Sequence, residues 1–111
     1  MLNTMTINGH KAVIQYDPET ALFRGEFVGL NGGADFYADN VADLHKEGAA
    51  SLQVFLDVCQ EQGIAPYKHY SGRFNVRVRP DVHAAAVAAA AAQNISLNEW
   101  VSQTLDQAAR A

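Results

Sequence analysis

Polar and apolar side chains alternate in the stretch RFNVRVR, residues 73–79, which is the most distinctive feature of this sequence. The polar positions are Arg73, Asn75, Arg77 and Arg79. The apolar positions between them are Phe74, Val76 and Val78. This period of two predicts a strand with one polar and one apolar face. Because arginine can bond to guanine through two atoms and asparagine likewise to adenine, the polar face is suited to reading DNA bases.

Two helices are predicted directly after this strand. Pro80 ends the strand, Asp81 lies at the first helix start, and a run of alanines follows with high helix propensity. Asn94 is a candidate for a left-handed residue that ends this helix. Ser96 and Glu99 have the spacing of a capping box, which predicts the start of the second helix.

A strand with no partner in its own module is unstable, so we expect it to pair antiparallel with the same strand of a second copy. The resulting two-stranded ribbon would present its polar residues twice and would fit the DNA major groove. The side chains predicted to form the dimer core are Phe74, Val76, Val78, Trp100, Val101 and Leu105. The assembly is a homodimer at minimum, and a tetramer built from two dimers is left open.

The first 63 residues predict an antiparallel meander followed by a helix, which makes the chain an α+β protein. The segments KAVIQYD, ALFRGEFVGL and DFYAD are the predicted strands. Gly25 within the second of these indicates either a bulge or a close approach by another element. The helix covers residues 41–62, between a cap at Asn40 and a left-handed stop at Gly63.

The stretch RFNVRVRPDVH…NISLNEW resembles a ribbon-helix-helix DNA-binding domain of the Arc/MetJ kind. With FRGEF, the meander, the helix and APYKHYSGRFNVRV, the chain resembles HicB-family antitoxins over roughly residues 12–108. The resemblance implies a partial RNase H-like, toxin-binding domain over residues 1–63. A linker would follow over residues 64–71, and a ribbon-helix-helix domain for DNA binding and dimerisation over residues 72–111.

The resemblance also implies roles for particular residues. The base-contacting positions fall on Arg73, Asn75 and Arg77, and the phosphate-contacting positions on Ser96, Leu97 and Asn98. A helix N-terminus suits the second role because its free N–H groups and positive dipole end attract a phosphate. Arg79, at the strand's end, is expected to contact only the DNA backbone. The first helix departs from the family, whose members usually carry more charged residues there.

The function implied by the resemblance is that of an antitoxin in a type II toxin–antitoxin system. Such a protein neutralises a HicA-like RNA-cleaving toxin through its N-terminal domain and represses its own operon by binding operator DNA. The chain has a net charge of −4, which is unevenly distributed. Residues 1–70 hold four Lys and Arg and nine Asp and Glu. Residues 71–111 hold four Arg and three Asp and Glu. The acidic first part suits a basic protein partner.

Two other functions are consistent with parts of the sequence. One is a free-standing ribbon-helix-helix regulator whose N-terminal domain senses a ligand or another protein. The other is an RNase H-like nuclease, which needs carboxylates that converge on two metal ions. The available acids have no spacing that forces them together: Asp17, Glu26, Asp35, Asp39 and Asp43. The four histidines likewise lack metal-ligand spacing, so we expect no enzymatic activity, no metal and no cofactor.

The sequence predicts a cytoplasmic protein. The N-terminal residues MLNTMTINGHKAVI lack the apolar region of a signal peptide, and no run of about 18 apolar residues could span a membrane. Cys59 has no partner for an internal disulfide and is expected to be a small core residue.

Overall fold

The computed structural model describes residues 3–110 and has an α+β architecture, with a four-stranded antiparallel sheet followed by three helices. The chain divides into two compact units, of which the first ends at Ser71 and the second begins at Gly72. Over residues 3–110, no helix combines the length and the apolar character needed to cross a membrane.

The sheet is a meander in which each strand pairs with the next one along the chain. Its strands are β1 (Thr4–Ile7), β2 (His10–Asp17), β3 (Leu22–Phe27) and β4 (Asp35–Ala38). The last three match the strands predicted from the alternating pattern. The register is continuous across β3, where Gly25 lies opposite Ile14 on one side and Phe36 on the other.

The hairpin formed by β1 and β2 extends the predicted meander, which began only at Lys11. Its turn consists of Asn8 and Gly9, whose φ angles of 49° and 81° are both positive. A two-residue type I′ turn requires positive φ at both positions, and Asn-Gly is the pair that adopts it most readily. This pair was therefore a sequence signal for the first hairpin that the prediction missed.

The helix α1 (Val41–Gln62) packs against one face of the sheet and closes the core of the first unit. It begins where the side-chain oxygen of Asn40 accepts a hydrogen bond from the Asp43 N–H at 2.8 Å, and it ends at Gly63, whose φ is 65°. Both predicted boundaries are confirmed. The buried core residues between α1 and the sheet are Ile7, Ala12, Phe27, Leu30, Ala34, Phe36, Ala38, Leu44 and Leu52.

Two glycines make room for the ring of Phe36 in this core. A Cβ atom at Gly25 would overlap that ring, and one at Gly48 would overlap Ile7 Cδ1 and lie 2.9 Å from Phe36 Cε2. Since the register is continuous, Gly25 marks a close approach and not a bulge. Gly48 explains the gap in the apolar pattern of α1, because any side chain there would collide with the core.

We therefore expect Gly48→Ala to lower the free energy of unfolding by about 1–3 kcal/mol, the usual cost of overfilling a packed core. The substitution should destabilise even though alanine favours a helix over glycine by about 1 kcal/mol. Urea denaturation would measure the change. Gly33→Ala is the control, since a Cβ there meets no atom within 4 Å. A Gly48→Ala variant as stable as the natural protein would contradict the close packing.

The stretch predicted as a linker, residues 64–71, is held against the first unit along part of its length. Tyr67 forms an isolated antiparallel bridge with Leu30, and the Asn31 N–H donates to the Pro66 carbonyl at 2.8 Å. The compact first unit accordingly includes this stretch and ends only at Ser71.

The second unit contains α2 (Pro80–Ala92) and α3 (Leu97–Ala109), which pack against each other. Asn94, between them, has the predicted left-handed conformation with φ of 58°. Residues 73–79 belong to no helix or strand in the described chain, so the predicted strand is absent from the single chain. The prediction had assigned the backbone partners of this strand to a second copy of the chain.

Candidate nucleic-acid interface

The arginine-rich segment 73–79 is exposed along its whole length. It leads directly into α2, because Arg79 is the extended N-cap residue of that helix, with φ of −65° and ψ of 150°. The predicted base-contacting residues Arg73, Asn75 and Arg77 therefore lie on an accessible segment fixed at one end by a helix.

Arg79 pairs with the first turn of α2. Its Nε atom lies 3.4 Å from Asp81 Oδ1, and both side chains are exposed. An exposed pair of this kind contributes little to stability. It does place the guanidinium beside the helix start, at the end of the segment.

The predicted phosphate-contacting residues lie together at the start of α3. The Ser96 hydroxyl oxygen accepts a hydrogen bond from the Glu99 N–H at 3.0 Å, which confirms Ser96 as the cap. Leu97 and Asn98 are the first two residues of the helix, and the Asn98 side chain is exposed. The first N–H groups of a helix have no acceptor within it and lie at its positive end, so they can bind a phosphate.

An apolar groove of about 550 Å³ lies beside the arginine-rich segment, between it and the two helices. Five of the six residues predicted to form a dimer core border this groove: Val76, Val78, Trp100, Val101 and Leu105. The sixth, Phe74, does not border it and is 71% exposed. In a single chain these apolar side chains surround an open groove and not a closed core.

Four further residues of the groove were not predicted from the sequence: Val82, His83, Ala86 and Thr104. Val82 and Ala86 are four positions apart, so they lie on one face of α2. Because residues 84–92 of α2 are all alanine except for one valine, the sequence does not mark that face. Thr104 follows Trp100 by four positions, and this spacing was a signal that could have placed it in the groove.

The carboxylates considered for a nuclease site bind local partners in the first unit. Arg24 Nη2 lies 2.6 Å from Asp35 Oδ2, and Arg24 Nη1 lies 3.4 Å from Glu26 Oε2. The hydrogen bond to Asp35 is the main cause that raises the pKa of Arg24 above its ordinary value, and a second bond to the Tyr37 hydroxyl adds to it. Asp35 and Glu26 thus share one arginine on an exposed part of the sheet.

The other three acids serve in turns and caps. Asp17 accepts a hydrogen bond from the Glu19 N–H at 3.0 Å, and the side-chain amide of Asn40 donates to Asp39 and Asp43 at 2.7 and 2.9 Å. Among residues 3–110, no three His, Cys, Asp or Glu side chains are grouped so that they could hold a metal ion.

These features describe an α+β protein whose second unit combines an exposed basic segment, two capped helices and an open apolar groove. Residues 55–105 match the model of the HicB family, a range that covers the end of α1, the basic segment, α2 and most of α3. Over these residues the chain is similar to proteins of the HicB family. Comparison with curated proteins and with solved structures gives no match.

Proposed function

We propose that this chain is the antitoxin of a type II toxin–antitoxin system. It neutralises a HicA-like RNA-cleaving toxin through its first unit, which has a partial RNase H-like fold. It represses its own operon through its second unit, a ribbon-helix-helix domain that dimerises and binds operator DNA. The observation that carries this proposal is the open apolar groove beside the exposed basic segment, within the range that matches the HicB family.

A second copy of the chain accounts for the open groove. Phe74, Val76 and Val78 are 71%, 62% and 48% exposed in the single chain. Burying an apolar side chain of this size stabilises by about 1.5–3 kcal/mol, so leaving three of them in water forgoes a large stabilisation. Antiparallel pairing of segment 73–79 with its copy would supply both backbone partners and a cover for these side chains.

The same pairing creates the DNA-binding surface. Once the apolar side chains face the helices, alternation places Arg73, Asn75 and Arg77 on the opposite face of the ribbon, in both chains. These side chains would contact base edges in the major groove. Arg79 and the start of α3, with Ser96, Leu97 and Asn98, would hold the phosphates on either side.

Charge separates the two units and favours two different partners. Residues 1–70 carry five more acidic than basic side chains, four Lys and Arg against nine Asp and Glu. An acidic unit attracts a basic protein and repels nucleic acid. The basic segment of the second unit attracts nucleic acid and repels a basic protein. The toxin is therefore assigned to the first unit and the operator to the second.

The proposal includes no enzymatic activity. Asp35 and Glu26 both form ion pairs with Arg24. Asp39 and Asp43 both accept hydrogen bonds from the side-chain amide of Asn40. A two-metal nuclease needs its carboxylates directed at the metal ions. The local partners of these acids instead favour structural roles in the sheet and in the cap of α1.

A growth assay tests the function. The proposal predicts a HicA-like reading frame beside this gene. Production of its protein should arrest a bacterial culture, and coproduction of this chain should restore growth. A reporter placed behind the operon's promoter should be repressed by the chain in the same cells. Repression without restored growth, at chain levels verified by immunoblot, would favour a free-standing regulator. If the chain neither restored growth nor repressed the reporter, the proposal as a whole would be wrong.

A further inference from the structure

A groove of about 650 Å³ runs between the edge strand β4 and α1 in the first unit. Tyr37 of β4 and Val54, Phe55 and Val58 of α1 form much of its apolar surface. The exposed fractions are 63% for Val54, 52% for Tyr37 and 42% for Val58. We call this surface the β4–α1 groove.

The valines of the β4–α1 groove form an apolar row on α1 that the core does not use. Leu44, Leu52 and Cys59 are the buried apolar residues of α1. Val54 and Val58 follow each other at the four-residue spacing of one helix face, and both are exposed. Two exposed valines beside an edge strand are surface that another protein could bury.

Acidic residues lie at both ends of this valine row. Both charged residues that border the β4–α1 groove, Asp35 and Glu47, are acidic. On α1, Asp43 precedes Glu47 by four positions and Glu61 follows Val58 by three, so all of them share the face of the valines. These three acids of α1 are exposed. The face is therefore acidic, then apolar, then acidic again along the helix.

We propose that the β4–α1 groove is the surface on which the first unit binds a small basic protein, the HicA-like toxin. This inference rests on the proposed antitoxin function. The partner would place apolar side chains over the valine row, and its lysines or arginines would meet the acids at the two ends. Arg24 would not oppose a basic partner, since it does not border the groove and is paired with Asp35 at 2.6 Å.

The charge pattern also decides against other occupants. A nucleic acid would bring phosphates next to Glu47 and its acidic neighbours, where like charges repel. A second copy of the chain would bring an equally acidic groove to the same place. A basic protein is the occupant for which both the ends and the middle of the surface are complementary.

Titration calorimetry of the full chain against the HicA-like protein whose gene is expected beside its own would test this surface. We expect Val54→Lys to raise Kd by about tenfold or more, as blocking a central interface residue does. Val41→Lys is the matched control, because Val41 lies in the same helix, is 61% exposed and does not border the groove. Glu47→Lys should weaken binding more at low salt than at high salt.

The outcomes distinguish a wrong binding surface from a wrong antitoxin function. Strong binding by the natural chain and by Val41→Lys, with weakened binding by Val54→Lys and Glu47→Lys, would support the β4–α1 groove. If the natural chain binds and both groove variants bind equally well, the groove is not the site although the antitoxin function stands. If the natural chain does not bind, the function and the groove assignment both fail. Should Val54→Lys unfold by circular dichroism, the rim variant Glu47→Lys decides.

Discussion

Replacing Arg77 with alanine should lower the affinity for operator DNA by about 2–6 kcal/mol, because the dimer would lose two symmetric contacts of roughly 1–3 kcal/mol each. Binding to unrelated DNA should fall much less, since that binding depends on the summed positive charge and not on one base contact. The measurement is operator and nonspecific affinity at two salt concentrations, for the natural chain and the variant.

Ser96→Ala provides the comparison for a phosphate-contacting position. It should weaken binding to every sequence alike, and it should also cost about 1 kcal/mol of stability because the Glu99 N–H loses its acceptor. Arg79→Ala should behave like Ser96→Ala in its lack of sequence preference. If Arg77→Ala lost operator and nonspecific binding equally, segment 73–79 would be an electrostatic patch and the base-reading assignment would be wrong.

Placing a carboxylate at Val78 should convert the dimer into a monomer and abolish operator binding. In the proposed dimer Val78 is buried against α2 and α3, and an unpaired buried charge costs several kcal/mol. Val87→Asp is the matched control: Val87 is 47% exposed against 48% for Val78, and it does not border the apolar groove of the second unit. That variant should remain dimeric.

Sedimentation equilibrium or light scattering at micromolar concentration would measure the assembly state of the natural chain and both variants. A folded monomer of the natural chain under these conditions would overturn the dimer. So would a Val78→Asp variant that stays dimeric with unchanged DNA binding. A tetramer built from two dimers would have twice the mass of the dimer. It would be consistent with the proposed pairing of segment 73–79.

Many element boundaries of this protein are determined by local sequence. Asn40, Gly63, Asn94 and Ser96 begin or end helices as predicted. Each acts through its own backbone conformation or through a hydrogen bond to a residue within a few positions, so a short window of sequence contains the whole interaction. The strands β2 to β4 were likewise predictable, because alternation is a property of neighbouring residues.

The packing of α1 against the sheet required the tertiary structure. The sequence shows Gly48 only as a gap in an apolar pattern. The fold shows that Ile7 and Phe36, from strands at opposite edges of the sheet, both reach that position. Contacts between residues so far apart in the chain depend on how strands and helix come together, which periodicity alone does not state.

The two surfaces on which the proposals rest also differ in how far the sequence alone predicts them. The alternating arginines and the capped start of α3 could be read from residues 71–108 alone, because strand and helix periodicities decide which side chains share a face. The pairing with a second strand was inferred from the same residues and stays a prediction. The β4–α1 groove was not evident, since its walls come from residues 33–37 and 47–58 and meet only when α1 folds back along β4. The attachment of residues 65–68 to the loop at 29–31 is of the same kind, because backbone hydrogen bonds join segments that are more than 30 positions apart and carry no side-chain pattern.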